Sequence, residues 1–138
     1  MVEVARVLII AGSDSGGGAG IQGDSKTVTC LGGFATTAIT ALTAQNTQGV
    51  FGIHEIPDAF IAQQIQLVLS DIGADCIKIG MLHSSRVIRT IASALEAYPH
   101  IPLVLDTVMY AKGGAALLQD DAVDALKERL IPRHTLIT

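Results

Sequence analysis

The sequence predicts a three-layer α/β/α domain on a mostly parallel sheet, and three observations carry that expectation. Apolar runs alternate with stretches of helical period, as stacked βα units require. The runs are apolar at nearly every position instead of at every second one, which suits strands buried on both faces. The 138 residues are 49% hydrophobic and 16% charged with a net charge of -4, enough for one core. With 14 glycines and no tryptophan, that core is aliphatic and the loops are glycine-rich.

The elements follow in order. Residues 5–11 form a buried strand, stopped by the glycines of 12–20. A helix over 19–31 places Ile21, Val28 and Leu31 on one face, and Gly32-Gly33 supplies a left-handed cap just past its end. Residues 34–42 are the next strand, and 48–56 a short extended piece. Pro57-Asp58 starts a helix whose Ile61, Ile65, Val68 and Ile72 recur at helical spacing. Residues 76–79 make a strand ended by Gly80. Ser84 or Ser85 then caps a helix burying Ile88, Ile91, Leu95 and Tyr98, and Pro99 stops it. Residues 103–105 are a strand ending at Asp106, Val123, Leu126 and Leu130 line a further helix, and 135–137 begin another strand. A chain that stops as a strand begins leaves sheet surface uncovered, so the sequence reads as cut within a domain.

Composition excludes several functions. Nine Lys and Arg against 13 Asp and Glu give no cationic field for nucleic acid or an anionic membrane, and no apolar run is long enough to span one. Cys30 and Cys76 form neither a C-x-x-C motif nor a disulfide framework; they read as small buried apolar groups in a cytoplasmic protein. His54, His83, His100 and His134 show no metal-ligand spacing and read as surface or structural residues.

A strand, a glycine loop and a helix, as in 12–23, can aim backbone N–H groups at a ligand. Gly18, Gly20 and Gly23 satisfy G-x-G-x-x-G, but they come well after the strand, and no acid lies between Asp24 and Glu55 to hold a ribose. Asp24 also stands where a P-loop needs its lysine. Neither nucleotide motif applies. The complete strings AGSDSGGGAGIQGD (11–24), ITALTAQNT (39–47), KIGML (78–82) and LDTVM (105–109) together resemble the hydroxymethylpyrimidine and phosphomethylpyrimidine kinases of thiamine biosynthesis, in the ribokinase-like superfamily. The resemblance implies that residues 1–138 are the N-terminal part of a single ribokinase-like kinase domain. It further implies a small aminopyrimidine alcohol as substrate, ATP and Mg²⁺ as cofactors, and an association into homodimers.

Gln45, placed just beyond a strand, has an amide that donates and accepts, which suits a ring nitrogen beside an exocyclic amine. The resemblance points to it too, and puts Asp24, a helix-start acid, near the pyrimidine. It makes Met81 and Val108 the apolar walls, where composition alone would put both in the core. Gly12 and Gly80 fit as positions where a side chain would intrude. Asp106, at the end of a buried strand, emerges where phosphates and metal would collect, and Lys112 can offer a cation to a phosphate. Lys78, inside a strand next to Gly80, is expected to pair with a carboxylate. Gly113 and Ala115 depart from the family's Ser and Asp. The family's later Asn-x-x-Glu segment and Gly-Thr-Gly-Cys loop, which supply its anion hole and catalytic base, are not in this sequence, so the catalytic residues are expected beyond Thr138 and the 138-residue chain alone is expected not to turn over. A pyridoxine-type kinase and a non-catalytic small-molecule binding fragment remain the alternatives.

Overall fold

The structure, a computed structural model, describes residues 3–111, 113–114 and 116–138. Its sheet has six strands in the order β3-β2-β1-β4-β5-β6, and the sequence forms them in the order β1 Arg6–Asp14, β2 Phe34–Asn46, β3 Gly49–Glu55, β4 Cys76–Ile79, β5 Leu103–Leu105 and β6 Leu136–Ile137. All neighbours run parallel except β2 and β3, an antiparallel pair. The helices are α1 Gly20–Cys30, α2 Asp58–Leu67, α3 Ser85–Ala94 and α4 Ala122–Ala125. α2 and α4 continue as π-helical turns over Val68–Ile72 and Leu126–Leu130. Among the described residues no helix is long and apolar enough to cross a membrane.

Connection direction decides which face each helix covers. The step from β1 to β2 runs toward one edge of the sheet, and every later crossover runs the other way. Right-handed crossovers therefore put α1 on one face and α2, α3 and α4 on the other. The main core lies under those three helices: Leu8, Ile10, Ile77, Ile79, Leu103 and Leu105 of the strands meet Ile61, Ile65, Ile88, Ile91 and Leu95. Each such fully buried side chain contributes about 1.5–3 kcal/mol. Ser84, not Ser85, is the N-cap of α3, accepting from the Val87 N–H at 3.4 Å. Gly32 has φ +84°, the left-handed position expected past α1, and the Gly33 N–H returns to the Val28 carbonyl.

Four expectations change. Leu31, expected on a packing face, is 83% exposed, and no residue of α1 is buried, because the helix lies alone on its side of the sheet. β2 runs on to Asn46 instead of stopping at 42, since β3 pairs with it from Ala41 to Asn46. Gln45 is therefore within a strand and not beyond one. Cys30, read as buried, is exposed at the end of α1, while Cys76 is half-buried and burial pushes its thiol upward in pKa.

Candidate functional site

Strand order reverses between β1 and β4, and in open α/β sheets the carboxyl ends at such a reversal diverge into a crevice. A cavity of about 300 Å³ opens there. Gly12 at the end of β1 and Gly80 and Met81 at the end of β4 form its centre; Asp24 comes from α1, Gln45 from β2, and Asp106 and Val108 from the stretch after β5. All seven residues singled out in the sequence thus line one cavity. The eighth, Lys112, lies outside the described residues, as does Ala115.

Local chain geometry explains the convergence. Between Ala11 and Ser13 the β1–β2 register shifts by one residue, and between Ala44 and Gln45 the β2–β3 register shifts again. Bulges of this kind re-aim side chains at the rim of a sheet. Thr43 Oγ1 lies 2.8 Å from the Ser13 carbonyl and 3.1 Å from Gln45 Oε1. One hydroxyl proton serves only one of these acceptors, so the amide gains by turning its NH₂ toward Thr43, which leaves Oε1 for the cavity. The glycines are explained by their neighbours in the protein. A Cβ on Gly12 would stand 2.5 Å from Met81 Cε, and one on Gly80 would stand 3.0 Å from Lys78 Nζ. Both glycines make room for a side chain that shapes the cavity.

Lys78 and Asp14 are the two lining residues that the sequence reading underused. Lys78 Nζ pairs with Asp24 Oδ2 at 2.5 Å, and both are largely shielded from solvent. Asp24 is the fifth residue of α1, past the first turn, so its fixed partner is this ammonium and not the helix dipole. Asp14 is 6% exposed, and its carboxylate accepts the N–H groups of Gly16 at 2.7 Å, Gly18 at 3.0 Å and Ala19 at 2.8 Å. The glycine loop, an arrangement that can aim amides at a ligand, turns them toward its own Asp14. It does not fit nucleotide phosphates. The signal for this was an acid two residues before a glycine run, the setting of an Asx turn.

Among the described residues no three His, Cys, Asp or Glu side chains gather to hold a metal. Asp106 stands at the cavity, partly exposed, and offers one hard carboxylate. That fits Mg²⁺, which commonly takes one or two protein carboxylates and fills its remaining positions with phosphate oxygens and water.

The chain matches the phosphomethylpyrimidine kinase family over residues 14–138. It is 54% identical to a hydroxymethylpyrimidine/phosphomethylpyrimidine kinase of Haemophilus influenzae, covering 100% of this chain and 51% of that protein. It is 56% identical to the thiamine biosynthesis bifunctional protein ThiED of Geobacter sulfurreducens, covering 96% of this chain and 27% of that one. Phosphomethylpyrimidine kinase from Clostridium difficile superposes with a TM-score of 0.90 at 44% identity, over 96% of this chain and 58% of that one. A pyridoxal kinase from Staphylococcus aureus in complex with pyridoxal superposes with a TM-score of 0.86 at 31% identity, over 99% of this chain and 49% of that one, and it has also been solved in complex with ADP. The chain spans about half the length of the curated kinases it matches.

Proposed function

Because the chain belongs to the phosphomethylpyrimidine kinase family, we propose that it carries the alcohol-substrate half of a single ribokinase-like kinase domain, which phosphorylates 4-amino-5-hydroxymethyl-2-methylpyrimidine and its monophosphate from ATP. The convergence of Gln45, Asp24, Met81 and Val108 on one cavity is the observation that supports this most. A flat neutral heterocycle needs apolar walls and a few matched polar groups, because polar groups buried without partners are costly. In this reading Met81 and Val108 sandwich the ring, and Gln45 Oε1 accepts from the exocyclic amine beside the ring nitrogen. Lys78 keeps Asp24 oriented and its charge balanced at the floor of the pocket.

When bound, ATP would supply the γ-phosphoryl group for the hydroxymethyl oxygen, which gives up its proton as ADP leaves. Asp106 would hold the accompanying Mg²⁺. Lys112 belongs to this phosphate side by sequence. With the loop amides occupied by Asp14, the anion hole for the transferred group comes from other parts of the family's domain. The cavity-lining residues of this chain bind the alcohol. An exposed thiol at Cys30 suits a cytoplasmic setting, and the exposed Phe51 on edge strand β3 suits a homodimer.

Titration calorimetry on the purified chain tests the substrate. The aminopyrimidine alcohol should bind more tightly than pyridoxal, and Gln45→Ala should weaken it about five- to tenfold, the worth of one hydrogen bond. Tighter binding of pyridoxal would favour the alternative that the Staphylococcus aureus relative represents, and binding of neither would sink the proposal.

A further inference from the structure

We propose that His83 is a positioning residue that clasps residues 116–118, and through them 107–110, onto the sheet and so sets the affinity of the pyrimidine pocket. His83 does not itself line the cavity. It is the one non-glycine with positive φ among the described residues, at +69°. The Ser84 N–H donates across it to the Leu82 carbonyl at 2.9 Å. That pairing makes a γ-turn of the rare, strained kind, and such strain persists only where the surroundings hold it in place.

What holds it is on three sides. His83 Nδ1 lies 3.1 Å from the Leu117 carbonyl, and the His83 carbonyl accepts the Gln119 N–H at 2.8 Å. His83 Nε2 lies 3.3 Å from Glu55 Oε1 at the end of β3. Glu55 is fixed in turn by Arg86 of α3 at 2.8 Å, which also reaches Asp58 at the start of α2 at 3.0 Å. Both ring nitrogens face oxygen acceptors, so the ring meets both only when both nitrogens carry hydrogen.

The far end of this clasp is the pocket wall. The Leu117 and Leu118 N–H groups return to the Met109 carbonyl at 2.8 and 3.2 Å, and Tyr110 bridges Ala116. Residues 109–110 and 116–118 thus run back on each other as the two sides of a hairpin, and its base carries Leu117 into the cavity beside Val108. Apolar packing also anchors this arm: Leu118 belongs to the main core and Leu117 clusters with Ala41, Met81 and Val108, while Met109, Tyr110 and Ala116 are exposed. The His83 corner adds the polar contacts that keep Leu117 in register with Met81 and Val108.

The role of this clasp in affinity rests on the pyrimidine reading, but its existence does not, and the test separates the two. His83→Gly removes the ring and relaxes the backbone, so the variant should melt no lower than the parent. Its Leu117 and Leu118 amides should exchange at least about tenfold faster, with Ile9 and Ile77 unchanged, and its dissociation constant for 4-amino-5-hydroxymethyl-2-methylpyrimidine should rise about five- to tenfold. His83→Gln, which keeps a side-chain donor, should recover part of both effects. Unchanged exchange at Leu117 and Leu118 overturns the clasp, whether or not the pyrimidine binds. Exchange that rises equally at Ile9 and Ile77 overturns the positioning role, as does faster exchange at the hairpin with unchanged affinity. If the parent chain fails to bind the pyrimidine, the substrate reading and the affinity role fall together, and the exchange comparison still decides the contact.

Discussion

Gly12 and Gly20 lie eight residues apart on either side of the same loop, yet replacing them has opposite consequences. An alanine Cβ at Gly12 clashes with the tip of Met81, a flexible side chain that can swing away, while the nearest backbone atom, the Ala41 oxygen, lies at an ordinary 3.6 Å. Gly12→Ala should therefore cost under about 1 kcal/mol of stability and, on the proposed substrate reading, weaken binding of the aminopyrimidine alcohol about tenfold, because the swing displaces a cavity wall. At Gly20, φ is +57° and a Cβ would stand 2.3 Å from the Gly12 carbonyl oxygen, backbone against backbone. Gly20→Ala should cost about 3 kcal/mol or more. Urea denaturation of both variants checks the contrast, and equal stability losses would refute it. The sequence made these positions visible as glycines without saying what crowds them. Asp14 and Lys78 were harder to read for a related reason: Lys78 meets Asp24 across 54 positions of chain, a pairing that only the fold creates.

The two faces of the sheet differ in how much their helices hold. Ile88 of α3 is fully buried against strands and α2, so Ile88→Ala should cost about 3 kcal/mol. Leu31, at the end of α1, touches mostly solvent, and Leu31→Ala should stay within about 0.5 kcal/mol. Thermal melts of the pair would contradict this picture if the losses were similar. The elements that the sequence delimited well are those whose limits are local. β4 and β5 were read at their observed bounds because a buried apolar run ends at Gly80 and at Asp106. The end of β2 was missed because Thr43 and Gln45 are polar, and their strand conformation comes from pairing with β3. α1 was located correctly, but its lack of buried residues was invisible to helical periodicity, which assumes that an apolar stripe finds a partner.

Across the whole molecule, one ion pair ties the entrance of β1 to the entrance of β4. The Arg6 guanidinium hydrogen-bonds the Asp75 carboxylate, with Arg6 Nη2 2.8 Å from Asp75 Oδ1, and holds its pKa at about 2, well below the usual range. A carboxyl group lowered in the folded state contributes stability at neutral pH, which fades as acid protonates it. Asp75→Asn should therefore lower Tm at pH 7, and the gap to the parent should close as pH falls from about 4 toward 2. A gap that persists at pH 2 would mean the aspartate acts through something other than its charge. β1 also sits in the middle of the sheet, between a partner that follows it closely and another, β4, that follows about seventy residues later. During synthesis at roughly 5–20 residues per second, that order leaves its apolar edge waiting for several seconds. The nascent chain is therefore expected to be most vulnerable to misassociation before β4 leaves the ribosome, long before the pocket exists.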